Sequence, residues 1–309
     1  MGIFALTAEK YNNVTLYVTG HAPYDFDSLA SAYLVGRWLS RVGCHALPVL
    51  PDTVAVSDSI PGDVMRLHGV DVTCWTRAAQ LDVGDGAVVL VDCHTSCIPG
   101  SIAAVIDHHP TSGTLPVSEK FCFNRTASSC AIAAYRLALA DGIEVTDDEE
   151  ILVVRSVYMD TQSLLSAKFD PADRPWLDEM IKKHSLDEDE LRRRGLCFAD
   201  LSRPPEELAA DGLKYYAIAG KRCASTHIQA ENIPEDLIDK AVRHLAERRR
   251  NEGVDIWVFF IAEPLSGRSR VIELSDSGVV ERRYDRFLSR SKDIIPDLER
   301  RLLSGLDFR

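Results

Sequence analysis

The chain has 309 residues, about twice the usual domain size, so two moderate domains are expected rather than one. Its formal net charge is −12, whereas a protein that binds nucleic acid or an anionic membrane surface needs basic surface. We therefore expect no nucleic-acid partner and no membrane association. No apolar segment near the amino terminus reaches the length of a signal peptide or a membrane span, which predicts a cytoplasmic protein.

Short β-rich runs alternate with longer helical patterns along the first 200 residues. The capping-box pattern of Thr146 and Glu149 predicts a helix that ends near Asp160. Such alternation favours an α/β fold with a mostly parallel sheet and helices on both of its faces. The predicted strands cover residues 13–19, 46–50, 70–74, 86–91 and 102–106. The predicted helices cover residues 28–42, 127–140, 151–158, 171–184 and 187–199.

A pair of prolines predicts the end of the first domain. Pro204 and Pro205 cannot continue a helix, so we place a linker there, between a domain of residues 1–200 and a domain of residues 206–309. The second domain is expected to be a smaller α/β unit. Its predicted strands cover residues 215–219, 223–229, 254–262 and 269–274, and its predicted helices cover residues 234–250, 284–291 and 296–304.

Three predicted strands of the first domain end in side chains that can bind metal ions. In chain order these side chains are His21, Asp25 and Asp27, then Asp92, and then Asp107, His108 and His109. Because parallel strands present their carboxyl ends at one edge of a sheet, we expect the three sets to converge there. Together with Asp160 they make an oxygen-rich set with some nitrogen, which suits Mn²⁺ or Mg²⁺ better than thiolate-bound zinc. The set is large enough for two ions that share a carboxylate.

Each of these residues also has an ordinary structural explanation. One aspartate of the first set can simply cap the helix that begins near Ser28, and Asp92 can be the polar residue that starts a loop. Cys93, His94 and Cys97 leave zinc binding open, although the two cysteines can equally well only flank Asp92. The eight cysteines have no disulfide-framework spacing, and we expect them to be reduced. The size of the combined set favours the metal centre.

The motifs, in this order, resemble those of the DHH phosphoesterase superfamily. The matching residues are His21, Asp25, Asp27 and Ser28, then Asp92, then Asp107, His108 and His109, and finally Asp160 and Thr161. Leu213-Lys214-Tyr215 and residues 288–296 resemble the companion domain DHHA2 of family II inorganic pyrophosphatases and of exopolyphosphatase and prune-type proteins. The resemblance implies an active site in the cleft between the two domains. It also suggests a homodimer formed through an edge strand of the first domain.

Roles for the metal ligands follow from the same resemblance. Two divalent ions are implied, Mn²⁺ first, with Mg²⁺ or Co²⁺ as alternatives. Asp92 would bridge the ions, and the two ions would hold the attacking water between them as hydroxide. One ion would be held by His21 and Asp25, and the other by Asp27, His108 and Asp160.

The remaining site residues would serve the substrate and the chemistry. His109 would contact the substrate or give a proton to the leaving phosphate, and Asp107 would orient an imidazole. Cations of the second domain would bind the phosphate groups: Lys214, Arg290 and Lys292. An acidic protein can bind a polyanion if such a local group of cations faces it.

Departures from the pyrophosphatase pattern, among them Ala22-Pro23-Tyr24-Asp25 in place of Lys-Asn-Pro-Asp, leave the substrate open. The family's signature Ser-Arg-Lys-Lys has Ser291 at its first lysine, which removes a charge, and Cys93-His94-Thr95 stand where pyrophosphatases have His-Asn-Glu. We expect a phosphohydrolase that cleaves pyrophosphate through a metal-bridging hydroxide and in-line attack. An exopolyphosphatase, or a hydrolase of another small phosphoanhydride or phosphoester, is the alternative. A non-catalytic regulatory protein that retains the fold is the second alternative, but it predicts eroded ligands, and every expected ligand is present.

Overall fold

The computed structural model describes residues 2–22, 24–51, 65–109, 117–118, 121–196 and 198–305. The chain divides into two compact units. The first comprises Met1–Leu164 and Lys168–Gly195, and the second comprises Leu165–Ala167 and Leu196–Arg309. Across the described ranges, none of the helices combines the length and the hydropathy that crossing a bilayer requires.

A parallel sheet of six strands forms the centre of the first unit. The strands are β1 (Thr15–Thr19), β2 (His45–Leu50), β3 (Thr76–Arg77), β4 (Ala87–Val91), β5 (Ser101–Asp107) and β6 (Cys122–Asn124). Their order in space is β3-β2-β1-β4-β5-β6. All five residues of β4 are buried, as expected for a central strand covered on both faces. The chain order reverses between β1 and β4, so the carboxyl ends of these two strands border the crevice in which such sheets bind ligands.

Helices flank this sheet. They are α1 (Ile3–Tyr11), α2 (Phe26–Arg41), α3 (Cys130–Ala140), α4 (Asp147–Asp160), α5 (Arg174–Lys183) and α6 (Glu188–Gly195). The main core lies between the sheet and helices α1 to α4, and Trp38 and Val153 are fully buried in it. Val88, Leu90 and Val105 point to the opposite face of the sheet, where they form a smaller apolar cluster. The predicted α/β class with its parallel sheet is confirmed.

A buried carboxylate ties α2 to α4. Glu149, in the first turn of α4, accepts hydrogen bonds from Arg37 Nε at 2.7 Å, Trp38 Nε1 at 3.1 Å, and Arg41 Nη1 and Nη2 at 2.7 and 2.8 Å. Its Oε2 also accepts from the Thr146 amide at 3.1 Å, as the capping-box pattern predicts. Burial raises the pKa of Glu149, but these hydrogen bonds, led by that of Arg41, outweigh it and keep the pKa below its usual value.

The second unit is built on a mixed five-stranded sheet. Its strands are β7 (Lys214–Ile218), β8 (Lys221–Gln229), β9 (Ile256–Glu263), β10 (Arg268–Ser275) and β11 (Gly278–Tyr284), in the spatial order β11-β10-β9-β8-β7. Strands β8 and β9 are parallel, and the other neighbours are antiparallel. The helical elements are α7 (Pro205–Leu208), α8 (Glu235–Glu252), a π-helical turn (Arg290–Ile294) and α9 (Ile295–Leu303).

Two predicted elements are wrong. Residues 70–74 do not form a strand, because the Asp71 side chain accepts the Thr73 amide and closes a 3₁₀ turn over Val72–Cys74. Residues 284–291 do not form the predicted helix. Tyr284 is the last residue of β11 and pairs with Ser269 of β10, and residues 285–289 are irregular. The π-helical turn begins only at Arg290, where the Ser289 side chain caps it by accepting the Lys292 amide. Among the strands and α-helices described above, five were not predicted: α1, β3, β6, α7 and β11.

We expect Glu149→Gln to destabilise the first unit, because it leaves Arg37 and Arg41 without their buried counter-charge. Glu149 is buried, but the Arg37 and Arg41 side chains are 48% and 27% exposed, so we expect a loss of about 1.5–3 kcal/mol, the range for hydrogen bonds to a charged group. The free energy of unfolding should fall by that order at pH 7 in urea denaturation. Because the pKa of Glu149 is lowered, its contribution is present above the ordinary pKa of 4.5 and is lost as the pH falls through the folded pKa. The exposed Glu144→Gln is the control, and equal stability of both variants would contradict the account.

Candidate metal centre

The carboxyl ends of β1, β4 and β5 carry the predicted ligands. His21 follows β1, Asp92 follows β4 directly, and β5 ends in Asp107, with His108 next in the chain. Asp92 has a φ of 58°, a left-handed conformation that is uncommon for a residue other than glycine. Such backbone conformations are costly and concentrate at functional sites. The sharp turn brings the buried Asp92 carboxylate to the edge between β1 and β4.

The start of α2 is held tightly against the end of β1. A Cβ atom on Gly20 would lie 2.6 Å from Ser28 Cβ, so only glycine permits this approach. Ser28 Oγ in turn donates to Asp92 Oδ2 at 2.7 Å. Asp25 caps α2 by accepting the Ser28 amide at 3.0 Å, and it also lies 3.5 Å from His21 Nε2. The same side chain therefore caps the helix and belongs to a group that could hold a metal ion.

Asp27 is buried between three helices. Its carboxylate accepts the amides of Cys130 and Ala131, at 2.6 and 3.0 Å, at the beginning of α3. The hydroxyls of Ser31 on α2 and Ser156 on α4 donate to it at 3.2 and 2.6 Å. Burial, and next the charge of Asp92, raise the pKa of Asp27 to about 7. A neighbouring cation would favour its ionised form.

The imidazole of His108 faces three carboxylates. Its Nε2 lies 3.1 Å from Asp92 Oδ1, 3.6 Å from Asp27 Oδ2 and 3.7 Å from Asp160 Oδ2. Its Nδ1 lies 2.9 Å from the carbonyl oxygen of Ala127, which can only accept, so Nδ1 carries a proton. Burial lowers the pKa of His108, but the hydrogen bond to Asp92 and the charge of Asp27 outweigh burial and raise it to about 10.

This donor set fits divalent cations. Asp160 Oδ2 is buried and has no hydrogen-bond partner within the described ranges, which is costly for a carboxylate oxygen. Three groups of side chains each bring their ligand atoms within 4.8 Å of one another. Asp92 belongs to two of these groups, and imidazole with carboxylates suits Mn²⁺. The groups are His21 with Asp25 and Asp92, Asp27 with His108 and Asp160, and Asp92 with His108 and His109.

The cysteines near Asp92 are not part of these groups. Among the described residues, no cysteine belongs to a cluster that could hold a metal ion. Cys93 is buried, and its burial raises the pKa of its thiol to about 12. A protonated thiol is a poor metal ligand at neutral pH. The thiol of Cys93 therefore packs beside the centre as a small apolar group.

Sequence reasoning missed Lys168. Its ammonium lies 2.5 Å from Asp160 Oδ1, the carboxylate oxygen that does not face His108. Residues 162–164 all have φ between 50° and 65°, and this left-handed turn leads the chain from the end of α4 back towards Asp160. Positive φ normally signals glycine, and none of these three residues is glycine, so the sequence carried no sign of the turn.

The predicted phosphate-binding cations belong to the second unit. Lys214 begins β7, and Arg290 and Lys292 lie in the π-helical turn. The Arg290 guanidinium donates to the carbonyl oxygen of Gly212. Gly212 has a φ of 60°, and a Cβ there would lie 2.1 Å from His227 Nδ1 and 3.3 Å from Arg290 Nη1, so the imidazole and the guanidinium are neighbours. The charges of Arg290 and Lys214 both act on the His227 ring, so these two cations have this imidazole as a shared neighbour.

Comparison with known proteins assigns most of the first unit to a family. Residues 15–158 match the family model described as the DHH family, N-terminal domain. This part of the chain is a DHH family domain. The DHH domain contains His21, Asp25, Asp27, Asp92 and His108, and α4, which ends in Asp160, begins within it.

Similarity to single proteins extends beyond the DHH domain. The chain is 22% identical to the manganese-dependent inorganic pyrophosphatase of Methanocaldococcus jannaschii, over 92% of this chain and 98% of that protein. It resembles the crystal structure of a putative family II inorganic pyrophosphatase of Methanococcus jannaschii, with a TM-score of 0.68 and 20% identity, over 92% of this chain and 98% of that one. An exopolyphosphatase-related protein of Bacteroides fragilis has a TM-score of 0.47 and 12% identity, over 88% of this chain and 82% of that one. The fold of the first of these structures is shared.

We expect Mn²⁺ to raise the melting temperature of the protein, because it would relieve the repulsion among the carboxylates around Asp92. A ligand present at 100 times its dissociation constant stabilises the folded state by about 2.7 kcal/mol. Asp92→Asn should weaken Mn²⁺ binding by roughly 100-fold or more, since even outer partners of ligands contribute about 10–100-fold. Calorimetry with and without Mn²⁺ measures both effects. Asp85→Asn, exposed in the turn before β4, should respond like the unaltered protein, and an unchanged response of Asp92→Asn would contradict the assignment.

Proposed function

We propose that the protein is a metal-dependent phosphohydrolase that cleaves a phosphoanhydride, with inorganic pyrophosphate as the first candidate substrate. The observation that carries the proposal is the overlap of the ligand groups at Asp92, together with the orphaned oxygen of Asp160. The pyrophosphatase named among the similar proteins supports the choice of substrate and of Mn²⁺. In this proposal the six ligands are His21, Asp25, Asp27, Asp92, His108 and Asp160.

The chain's own side chains set up the reaction. Two divalent ions, when bound, would activate water for attack on phosphorus and neutralise negative charge in the transition state. His108 keeps Nε2 directed at the carboxylates, because Nδ1 is bonded to the Ala127 carbonyl. His109 is held through Nδ1 by Asp107 at 2.9 Å, and its side chain is 38% exposed. The outward Nε2 of His109 is thus placed to contact the substrate or to give a proton to the leaving phosphate.

Cations of the second unit would bind the phosphate groups that are not attacked. Arg290 forms no ion pair with any carboxylate in the described part of the chain, and burial lowers the pKa of its guanidinium. Burial, and next the charges of Arg290 and Lys214, lower the pKa of His227 to about 4, so this imidazole is neutral at pH 7. A partly buried guanidinium without a counter-charge favours the binding of an anion. We include Lys214 and Lys292 in the same role.

Ser291 is the reason for a second candidate substrate. Its side chain lies outside the described part of the structure, so the argument rests on the sequence. A serine in place of the expected lysine removes one positive charge, which weakens the hold on a compact diphosphate more than on an extended chain. A short polyphosphate is therefore the alternative substrate, and the protein would then act as an exopolyphosphatase.

Purified protein with Mn²⁺ should release phosphate from pyrophosphate or from tripolyphosphate. A higher kcat/KM for pyrophosphate would establish the first candidate, and a higher value for tripolyphosphate the second. Asp92→Ala should lower the rate by at least about 10³-fold, since one residue would serve both ions. Phosphate release is measured colorimetrically. No release from pyrophosphate, polyphosphates or nucleotides would contradict the proposed function.

Arg290→Gln tests the role of the second unit. We expect kcat/KM to fall by roughly 10- to 100-fold, the size of a lost charge-assisted hydrogen bond of about 1.5–3 kcal/mol. Arg283→Gln is the matched control, because Arg283 is exposed on β11 and already pairs with Glu281 at 2.6 Å. Steady-state kinetics of the two variants should differ clearly. Equal kinetics would remove Arg290 from the substrate site.

A further inference from the structure

Two histidines share one buried carboxylate beside the metal centre. Asp107 Oδ2 lies 3.0 Å from His94 Nδ1, and Asp107 Oδ1 lies 2.9 Å from His109 Nδ1. The backbone amides of His108 and His109 also donate to Oδ1, at 2.7 and 3.1 Å. The Asp107 carboxylate has no exposed surface. The Asp107 carboxylate accepts all of these hydrogen bonds from N–H groups. It therefore acts as a fixed anion that orients two imidazole rings.

The hydrogen bonds decide which atom each ring presents. An ionised carboxylate only accepts, so His94 and His109 both direct an Nδ1–H at Asp107. Nε2 is then the outward nitrogen of each ring. Within the described ranges neither Nε2 has a hydrogen-bond partner, and the side chains are 34% and 38% exposed. Two equivalent imidazole nitrogens are therefore open to a ligand.

His109 lies next to the proposed metal ligands, and the same Asp107 carboxylate holds His94 beside it. His109 Nδ1 is 3.5 Å from Asp92 Oδ1, and the rings of His108 and His109 pack edge to face with their centroids 4.4 Å apart. His94 follows Asp92 by two residues, and the left-handed turn at Asp92 lets it reach the end of the neighbouring strand β5. The His94 ring is thus anchored between two residues of the centre, Asp92 in the chain and Asp107 in space.

We propose that His94 is a second substrate-contacting residue beside His109. Its Nε2 atom forms a hydrogen bond with an oxygen of a phosphate group of the bound substrate. This inference rests on the proposed phosphohydrolase function and deepens it. Nε2 accepts from a P–OH group when the ring is neutral and donates to a phosphate oxygen when the ring is protonated. The pyrophosphatase pattern has asparagine at this position. A histidine there lengthens the reach of the site and would make His94 a determinant of substrate choice.

Asparagine also supplies the sharpest test. His94→Asn can keep a nitrogen donor near the position of Nδ1, and hence the hydrogen bond to Asp107, while the Nε2 atom is lost. If His94 contacts substrate, the variant should keep its melting temperature and its response to Mn²⁺. Its KM and its dissociation constant for imidodiphosphate should then rise by roughly 10-fold, the size of one hydrogen bond. His45→Asn is the control, because His45 is exposed and also uses Nδ1 for one hydrogen bond, to Thr15 Oγ1 at 3.1 Å.

The outcomes separate the two proposals. If the unaltered protein hydrolyses its substrate and binds imidodiphosphate, but His94→Asn matches it in KM and in binding, His94 only orients Asp107 and the inference is wrong. If the unaltered protein neither hydrolyses a phosphoanhydride nor binds imidodiphosphate in calorimetry, the proposed function fails and the inference fails with it. If KM rises for His94→Ala but is unchanged for His94→Asn, that result also contradicts substrate contact through Nε2.

A second measurement needs no substitution. Long-range ¹H–¹⁵N correlation spectra of the unaltered protein with Mg²⁺ report the protonation site of each histidine. His94 should carry its proton on Nδ1, and its Nε2 resonance should shift when imidodiphosphate is added. An Nε2–H tautomer of His94, or an Nε2 resonance that does not respond while that of His109 does, would overturn the proposal.

Discussion

Electrostatic repulsion around Asp92 is the constraint on which the arrangement of the first unit depends. Carboxylates of three segments meet there with the imidazoles of His21, His108 and His109, and Asp92 and Asp27 are almost completely buried. Buried like charges at such distances are strongly unfavourable unless protons or cations intervene. Without ions, burial of Asp92 raises the pKa of this carboxyl, but hydrogen bonds from His108 and His21 outweigh burial and lower it. The cluster is thus built to hold positive charge.

The helices show how the fold sustains this arrangement. Asp27 lies in the first turn of α2 and accepts two amides at the start of α3, where the helix dipoles stabilise a negative charge. Asp160 lies at the other kind of helix end, the last residue of α4, where the dipole opposes a negative charge. Burial raises the pKa of Asp160 as well. A cation stabilises a carboxylate that is placed unfavourably and has an oxygen without a hydrogen-bond partner. The hydrogen bonds of Glu149 hold α2 and α4 together and so keep Asp160 in place at the end of α4.

The sequence indicated the scaffold and the side chains that cluster at its edge because both depend on local patterns. Apolar runs such as Ala87–Val91 predict buried strands, and the polar residue after each run marks the ligand edge of a parallel sheet. Lys168 and His94 could not be assigned in this way. Lys168 reaches Asp160, and His94 reaches Asp107, only because left-handed turns bring them there. The residues in these turns are not glycines, so the sequence does not mark them. Local pattern also failed at residues 284–291, where strand pairing holds Tyr284 and a helical turn begins only at Arg290.

The location of bound Mn²⁺ tests the central claim most directly. Anomalous diffraction from crystals grown with Mn²⁺, recorded at the manganese absorption edge, shows each ion without reference to activity. We expect two peaks that both lie within bonding distance of Asp92, one also next to His21 and the other next to His108. A single peak elsewhere, or no peak near Asp92, would contradict the assignment of the metal centre.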